Sequence, residues 1–268
     1  MKKILLHFLL LLNLWGFQNQ KGFAQTPKID SLKNILKTTQ QDTVKINCLN
    51  DLSREIINTG DYAQAIKYAN DALVIASSAK QSQSKEEIAS FLAMTKGKAT
   101  AYNNIGNIHY FKGDYAQSLD FYFKSLKIKE EIGDKQGMAN SYNNIGNIHY
   151  FKGDYAQSLD FYFKSLKIRE ELRDKQGMAT SYSNIGLIHW NKGDYAQAID
   201  FYFKSLKIQE EIGDKQGMAA SYNNIGAIHD SKGDYDKAID FFFKDLKIFE
   251  EIGDKKGMAA AYNNIGTI

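Results

Sequence analysis

Four histidines stand at a constant step of 40 residues, His109, His149, His189 and His229, and imidazole is the side chain best suited to hold a transition metal or move a proton near neutral pH. Zinc needs its ligands about 2 Å away. One histidine on each of four successive helices, packed about 10 Å apart axis to axis, cannot gather round one ion, so these residues read as packing histidines. A second series is asparagine: Asn103, Asn104 and Asn107, then Asn143, Asn144 and Asn147, then Asn184, then Asn223 and Asn224. A carboxamide both donates and accepts, so a stacked ladder of them suits the backbone of an extended peptide whatever its sequence. The same ladder could serve only to join adjacent helices. No glycine loop for phosphate, no metal motif and no nucleophile beside a base is present, and Gly146, Gly153 and Gly177 read as helix-pair punctuation. Cys48 is the only cysteine, which excludes an internal disulfide and leaves a buried, inert thiol. Neither a catalytic role nor a cofactor is expected.

The elements that must position these residues follow from spacing. Tyr142, Ile145, Gly146 and His149 lie at i, i+3, i+4 and i+7, one face of a first helix, helix A. Asn143, Asn147 and Tyr150 lie about a third of a turn away on a different face. Gly153 can enter the left-handed conformation that ends a helix, and Asp154 with Gln157 three residues on reads as the cap of the next. That second helix, helix B, carries Tyr155, Leu159, Phe161, Tyr162, Phe163, Leu166 and Ile168. It is apolar round most of its circumference and is expected to be buried between neighbours, with Ala156, Ser158 and Ser165 allowing close approach. The unit closes at Arg173, where its sisters have Gly133, Gly213 and Gly253; a left-handed arginine there would cost up to about 1 kcal/mol.

The unit recurs: Tyr142 to Gly146 reappears as Tyr102 to Gly106, Tyr182 to Gly186, Tyr222 to Gly226 and Tyr262 to Gly266. A fixed period of this length marks a solenoid whose units bury their apolar faces only by stacking. Tyr142, Ile145, Gly146, His149, Gly153, Asp154, Tyr155, Tyr162 and Leu166 together resemble the signature of the tetratricopeptide repeat, over roughly residues 44–268. The resemblance implies an all-α fold, a right-handed superhelical solenoid of antiparallel helix pairs. The usual unit has ~34 residues and a closing proline; here it has 40, with Glu170 at the proline position and helix B prolonged through Glu171. That longer form is similar to the repeats of spindle-orientation adaptors, kinesin light chains and bacterial peptide-receptor regulators, and the likeness implies a concave face that binds a peptide. The expected face is Asn103, Asn107 and Tyr110, then Asn143, Asn147 and Tyr150, then Ser183, Leu187 and Trp190, then Asn223, Ala227 and Asp230. It becomes more apolar at Leu187 and Trp190, where exposed aromatic anchors would set selectivity, and packing on the next helix A is the competing use.

In chain order, residues 1–24 read as an export signal, with Lys2 and Lys3, an apolar run from Ile4 to Phe17, and Gly22 and Ala24 before a cut ahead of Gln25. The run is short of the ~20 residues that span a bilayer, so an exported chain, periplasmic or secreted, is expected, with no membrane insertion of the mature repeats. Cleavage leaves 31 basic against 31 acidic side chains, a balance that offers no basic stripe to nucleic acid. Residues 25–43 are expected to hold a short capping helix near Ile29 to Lys37. Residues 44–97 form a diverged first repeat with 13 inserted residues near Gln81 to Met94, and 98–257 form four repeats. Residues 258–268 begin a further repeat and stop inside helix A, which suggests a piece of a longer protein and self-association through that uncapped end. The functional expectation is a scaffold that binds a peptide or protein segment. The alternative is the extracytoplasmic sensory region of a membrane-bound signalling enzyme, a histidine kinase or nucleotide cyclase, whose catalytic part lies beyond Ile268.

Overall fold

The computed structural model describes residues 27–78 and 85–268. Among these there are twelve helices and no strand: α1 (Pro27–Thr38), α2 (Asp42–Ile57), α3 (Tyr62–Ser77), α4 (Lys85–Phe111), α5 (Tyr115–Glu131), α6 (Lys135–Phe151), α7 (Tyr155–Leu172), α8 (Lys175–Asn191), α9 (Tyr195–Ile212), α10 (Lys215–Lys232), α11 (Tyr235–Ile252) and α12 (Lys255–Gly266). The expected export signal and the Gln81 to Ser84 stretch lie outside the described residues. Lys85 to Met94, the rest of the expected insertion, lengthens α4 at its start, so α4 has 27 residues against 17 in α6. The expected N-terminal helix is α1.

Turn chemistry separates the helices as the sequence implies. After α6, Gly153 sits at φ 76° and donates its N–H to the Tyr150 carbonyl at 2.9 Å. Asp154 then accepts from the Gln157 N–H at 3.3 Å, satisfying a donor that the first turn of a helix leaves open. Between helix B and the next helix A, Arg173 is the one non-glycine at positive φ among the described residues, 54° where Gly133 has 68°. The strained arginine read from sequence is therefore present.

Gly146 lies within α6, as its place on the helix A face implies, whereas Gly177, read as punctuation, lies inside the first turn of α8. At Gly177 a Cβ would run into the side chains of Arg169 and Asp174, so the residue leaves room for the end of helix B to fold over the start of helix A. Gly106, the sister of Gly146, serves close approach within a pair: a Cβ would stand 2.6 Å from the Tyr122 ring. Across the same contacts Ser118 Oγ donates to the Gly106 carbonyl at 2.8 Å and Ser158 Oγ to the Gly146 carbonyl at 2.9 Å. Since helix A begins at residues such as Lys135, the boundaries expected at 97/98 and 257/258 fall inside α4 and α12.

Helix B is less enclosed than its composition implies. Tyr162, Leu166, Ser158 and Ser165 are buried, but Phe163 is 45% exposed and Ala156 faces out as well. A helix that touches neighbours on two sides keeps a third side wet, and Phe163 points there. Its sisters Phe123, Phe203 and Phe243 do the same.

The chain forms two compact units, one ending at Phe161 and the other beginning at Tyr162. In the first, each helix from α1 to α6 packs on the next and α4 also packs on α2; in the second, α8 to α12 pack in succession. Fully buried isoleucines hold both, Ile46 and Ile108 in the first and Ile185, Ile188, Ile225 and Ile228 in the second. Burial of a branched aliphatic side chain contributes about 1.5–3 kcal/mol, so these repeated positions carry the cohesion of each stack.

Candidate functional site

The histidines are structural. Each closes the turn that follows its helix: His109, His149, His189 and His229 place Nδ1 between 3.2 and 3.4 Å from the carboxylates of Asp114, Asp154, Asp194 and Asp234. Each ring also stacks on a phenylalanine of a helix B, Phe121, Phe161, Phe201 or Phe241, at 5.4 to 5.6 Å. The contact with His229, followed by that with Lys232, holds the Asp234 carboxyl below the usual carboxylate range. The sequence signal for this pairing was the constant five-residue step from histidine to the capping aspartate. Among the described residues, no group of three or more His, Cys, Asp or Glu side chains is placed to hold a metal ion. Cys48 is buried, and burial, helped by Asp51, pushes its thiol up and keeps it protonated.

The asparagines divide between two uses. Within the first unit, Asn144 Nδ2 donates to Asn103 Oδ1 at 3.2 Å, one repeat to the one before, and Asn104 Nδ2 donates to the Asn50 carbonyl at 2.9 Å. Within the second unit Asn264 Nδ2 donates to Asn223 Oδ1 at 2.7 Å. The ladder thus joins adjacent helices A, the second of the two uses the residue type allows. Asn107 Oδ1 accepts the Tyr122 hydroxyl at 2.7 Å and so ties helix A to helix B of one pair. At the third copy Ser183 replaces asparagine and its hydroxyl meets Ser205 Oγ at 2.9 Å.

Accessibility separates the expected face into two parts. Asn103, Asn107 and Tyr110 on α4, and Asn143, Asn147 and Tyr150 on α6, are half-buried, each with part of its side chain open to solvent. In the second unit Ser183 and Asp230 are half-buried, but Leu187, Trp190, Asn223 and Ala227 are closed off. Trp190 is only 7% exposed, so the expected exposed anchor is a packed side chain. A large indole on a helix that neighbours flank is covered because covering it removes the most apolar area from water.

Sequence reasoning missed the further tyrosines that surround the open part. Tyr110 lies against Phe111, Tyr115 and Phe151 at ring distances of 5.4, 6.3 and 5.5 Å, and Tyr150 against Phe151 and Tyr155 at 5.2 and 6.1 Å. Tyr62 stacks on Phe111 at 6.2 Å. Burial first, and then the neighbouring tyrosines, push the Tyr110 phenol up, so it is a neutral donor at any physiological pH. Tyr115 and Tyr155 carried a signal, as the residue after each capping aspartate. The arrangement offers half-open aromatic rings beside carboxamides, groups that stack and that both donate and accept hydrogen bonds.

A tetratricopeptide repeat family model matches residues 97–171 and 177–251, more than half of the chain. The chain belongs to the tetratricopeptide repeat family. Among solved structures, this repeat chain is similar to BtubC (BKLC) from P. vanneervenii, with 17% identity, TM-score 0.69, and coverage of 85% of this chain and 89% of that one. It is similar also to the apo form of RapI, with 17% identity, TM-score 0.67, and coverage of 87% and 62%. The third is aspartyl phosphate phosphatase F from Bacillus subtilis, with 18% identity, TM-score 0.68, and coverage of 96% and 64%. The chain therefore spans less than two thirds of the last two. At these identities the likeness shows a fold, an all-α array of tetratricopeptide helix pairs. No curated protein matches the sequence. Among the described residues no helix is long and apolar enough to cross a membrane.

Proposed function

We propose that this tetratricopeptide chain is a non-catalytic scaffold that binds a peptide or protein segment along the helix A side chains of α4 and α6. The observation that carries the reading is the open surface that α4 and α6 keep at one repeated pair, Asn107 with Tyr110 and Asn147 with Tyr150, where the next two copies have Leu187 with Trp190 and Ala227 with Asp230. In the first unit those side chains keep open surface beside the aromatic rings. Half-open tyrosines contribute contact area at small entropic cost, and carboxamides satisfy a bound backbone. Membership of a family built for protein interaction supports the same reading. Lys2, Lys3 and the apolar run after them support export of the chain.

The test is selection of peptides from a random displayed library on the immobilised chain. Peptides so obtained are expected to lose at least tenfold in affinity with Asn147→Ala and with Tyr150→Ala, and to be indifferent to Phe203→Ala on the outer side of α9. Binding that survives both α6 substitutions would remove the site from this face.

A further inference from the structure

The fourth copy departs from its sisters at three positions that are buried in them. Where earlier copies have Tyr122, Tyr162 and Tyr202 it has Phe242; where they have Ser125, Ser165 and Ser205 it has Asp245; where they have Lys129, Arg169 and Gln209 it has Phe249. Three positions earlier and four later on one helix share a face, so Phe242 and Phe249 flank Asp245 on α11. The carboxyl is 2% exposed, and its Oδ1 is buried with no hydrogen-bond partner. Its serine sisters show what this position does. Ser125 Oγ donates to the Ala99 carbonyl at 2.8 Å and Ser205 Oγ to the Ala179 carbonyl at 2.9 Å, each on the helix A of its own pair. The corresponding acceptor for residue 245 is the carbonyl of Ala219, on α10. A carboxylate has no proton to donate there; a carboxylic acid has one.

We propose that Asp245 is an acid-held clasp on the packing of α10, α11 and α12: protonated, its hydroxyl donates to the Ala219 carbonyl as the sister serines do, and a solvent-exposed, ionised carboxylate accompanies opening. Charged groups on these helices do not offset the burial. On α10, Lys215 pairs with Glu251 at 2.7 Å, and His229 and Lys232 lie against Asp234, while Asp230 stands in the last turn. On α11 itself Lys244 pairs with Asp240, and Asp236, Lys237, Lys247 and Glu250 are on exposed or half-exposed turns. On α12 the charges are Lys255 and Lys256 in the first turn. None of these acts on Asp245; burial alone pushes its carboxyl up to about 8 from 3.8.

The direction follows from linkage. An acid with a raised value in the closed state contributes stability that is whole below about 4 and is lost as pH rises to about 8, since the open state ionises while the closed state keeps its proton. Opening should therefore become about tenfold more favourable per pH unit across that window, up to about a hundredfold between pH 5 and 7, and level off above about 8.

The experiment is amide hydrogen exchange of α10 to α12 in the full chain, corrected for intrinsic rates, at pH values from 5 to 9. It is paired with an NMR titration of the Asp245 carboxyl carbon. The expected result is the rising then level profile in the native chain, its flattening in both Asp245→Ser and the near-isosteric Asp245→Asn, and a carboxyl midpoint near 8. A profile as steep in both variants as in the native chain, or a carboxyl midpoint below 5, would overturn the clasp.

Discussion

The junction of α5 with α6 in the first unit and that of α11 with α12 in the second are built on one frame and filled with opposite chemistry. In the first, Lys129 is buried and its ammonium donates to Ser141 Oγ at 2.8 Å; burial pushes it down to about 8 from 10.5, against the pull of Asp134. In the second the same place holds the Phe249 ring, facing Ala261 rather than serine in sequence, with the buried acid Asp245 one turn before it. Gly137 and Gly257 explain why one frame accepts both. Neither has a Cβ, and the space left is filled by the Asp134 carboxylate with the Lys129 stem in one case and by the Phe249 ring in the other. The lesson is that the backbone of a repeat is fixed by its caps, its serine-to-carbonyl contacts and its small residues, so the side chain over that glycine is free to change character. The two units then respond to pH in opposite senses. The lysine's burial penalty is whole below about 8 and fades toward 10.5, whereas the aspartic acid's contribution fades between about 4 and 8.

Three sets of substitutions break or sharpen that contrast. The largest effect is expected within the helix pairs. Gly106→Ala would drive a methyl into the Tyr122 ring and should cost about 2 kcal/mol. Gly186→Ala meets the Tyr202 ring and the Ala198 carbonyl only at 3.3 Å, so the gain of about 1 kcal/mol in helix propensity should roughly cancel the crowding. Urea unfolding midpoints at unchanged slope measure both, and equal losses would mean the pairs are equally tight. Next comes Lys129→Gln, which installs the Gln209 arrangement, where Ser221 Oγ donates to the side-chain Oε1 of Gln209 at 2.7 Å. It should stabilise by about 1–2 kcal/mol at pH 7. Because the native lysine recovers its loss as pH rises from about 8 to 10.5, thermal unfolding should show the advantage shrinking across that interval. Smallest is the exchange of Arg173 for the residue its sisters carry. Arg173→Gly should gain up to about 1 kcal/mol by relieving a left-handed arginine, and Gly133→Arg should lose a similar amount in the first unit.

Much of the frame was legible beforehand because its signals are local. Gly153 and Asp154 announce a turn by their own conformational preferences, and the 40-residue step marks the isoleucines, Ile145 in the first unit and Ile185 and Ile225 in the second, that are buried in each. Arg173 was foreseeable as strained because three sisters have glycine there. What escaped reading depends on neighbours that one helix cannot disclose. Periodicity placed Phe163 among apolar residues but could not tell which side of helix B stays wet. Gly177 looked like an ending because its role is to lie beneath Arg169, a residue on the preceding helix. Trp190 was read as an anchor, yet an indole on a flanked helix is covered whenever the flanking surface allows. The asparagines were ambiguous in use, since a carboxamide serves a ligand or a neighbouring helix with the same atoms.

That last ambiguity carries a consequence for how such a molecule lengthens. Where a copy keeps both asparagines, the second gives a hydrogen and the first can take one, as Asn144 to Asn103 and Asn264 to Asn223 show; the third copy has Ser183 in the first place, bonded to Ser205. A duplicated segment that carries both thus arrives with its own plug and socket, and such a copy can be fastened to another without any further change of sequence. A slip by one helical turn would leave both halves of the fastener empty, so the device that permits growth also polices register.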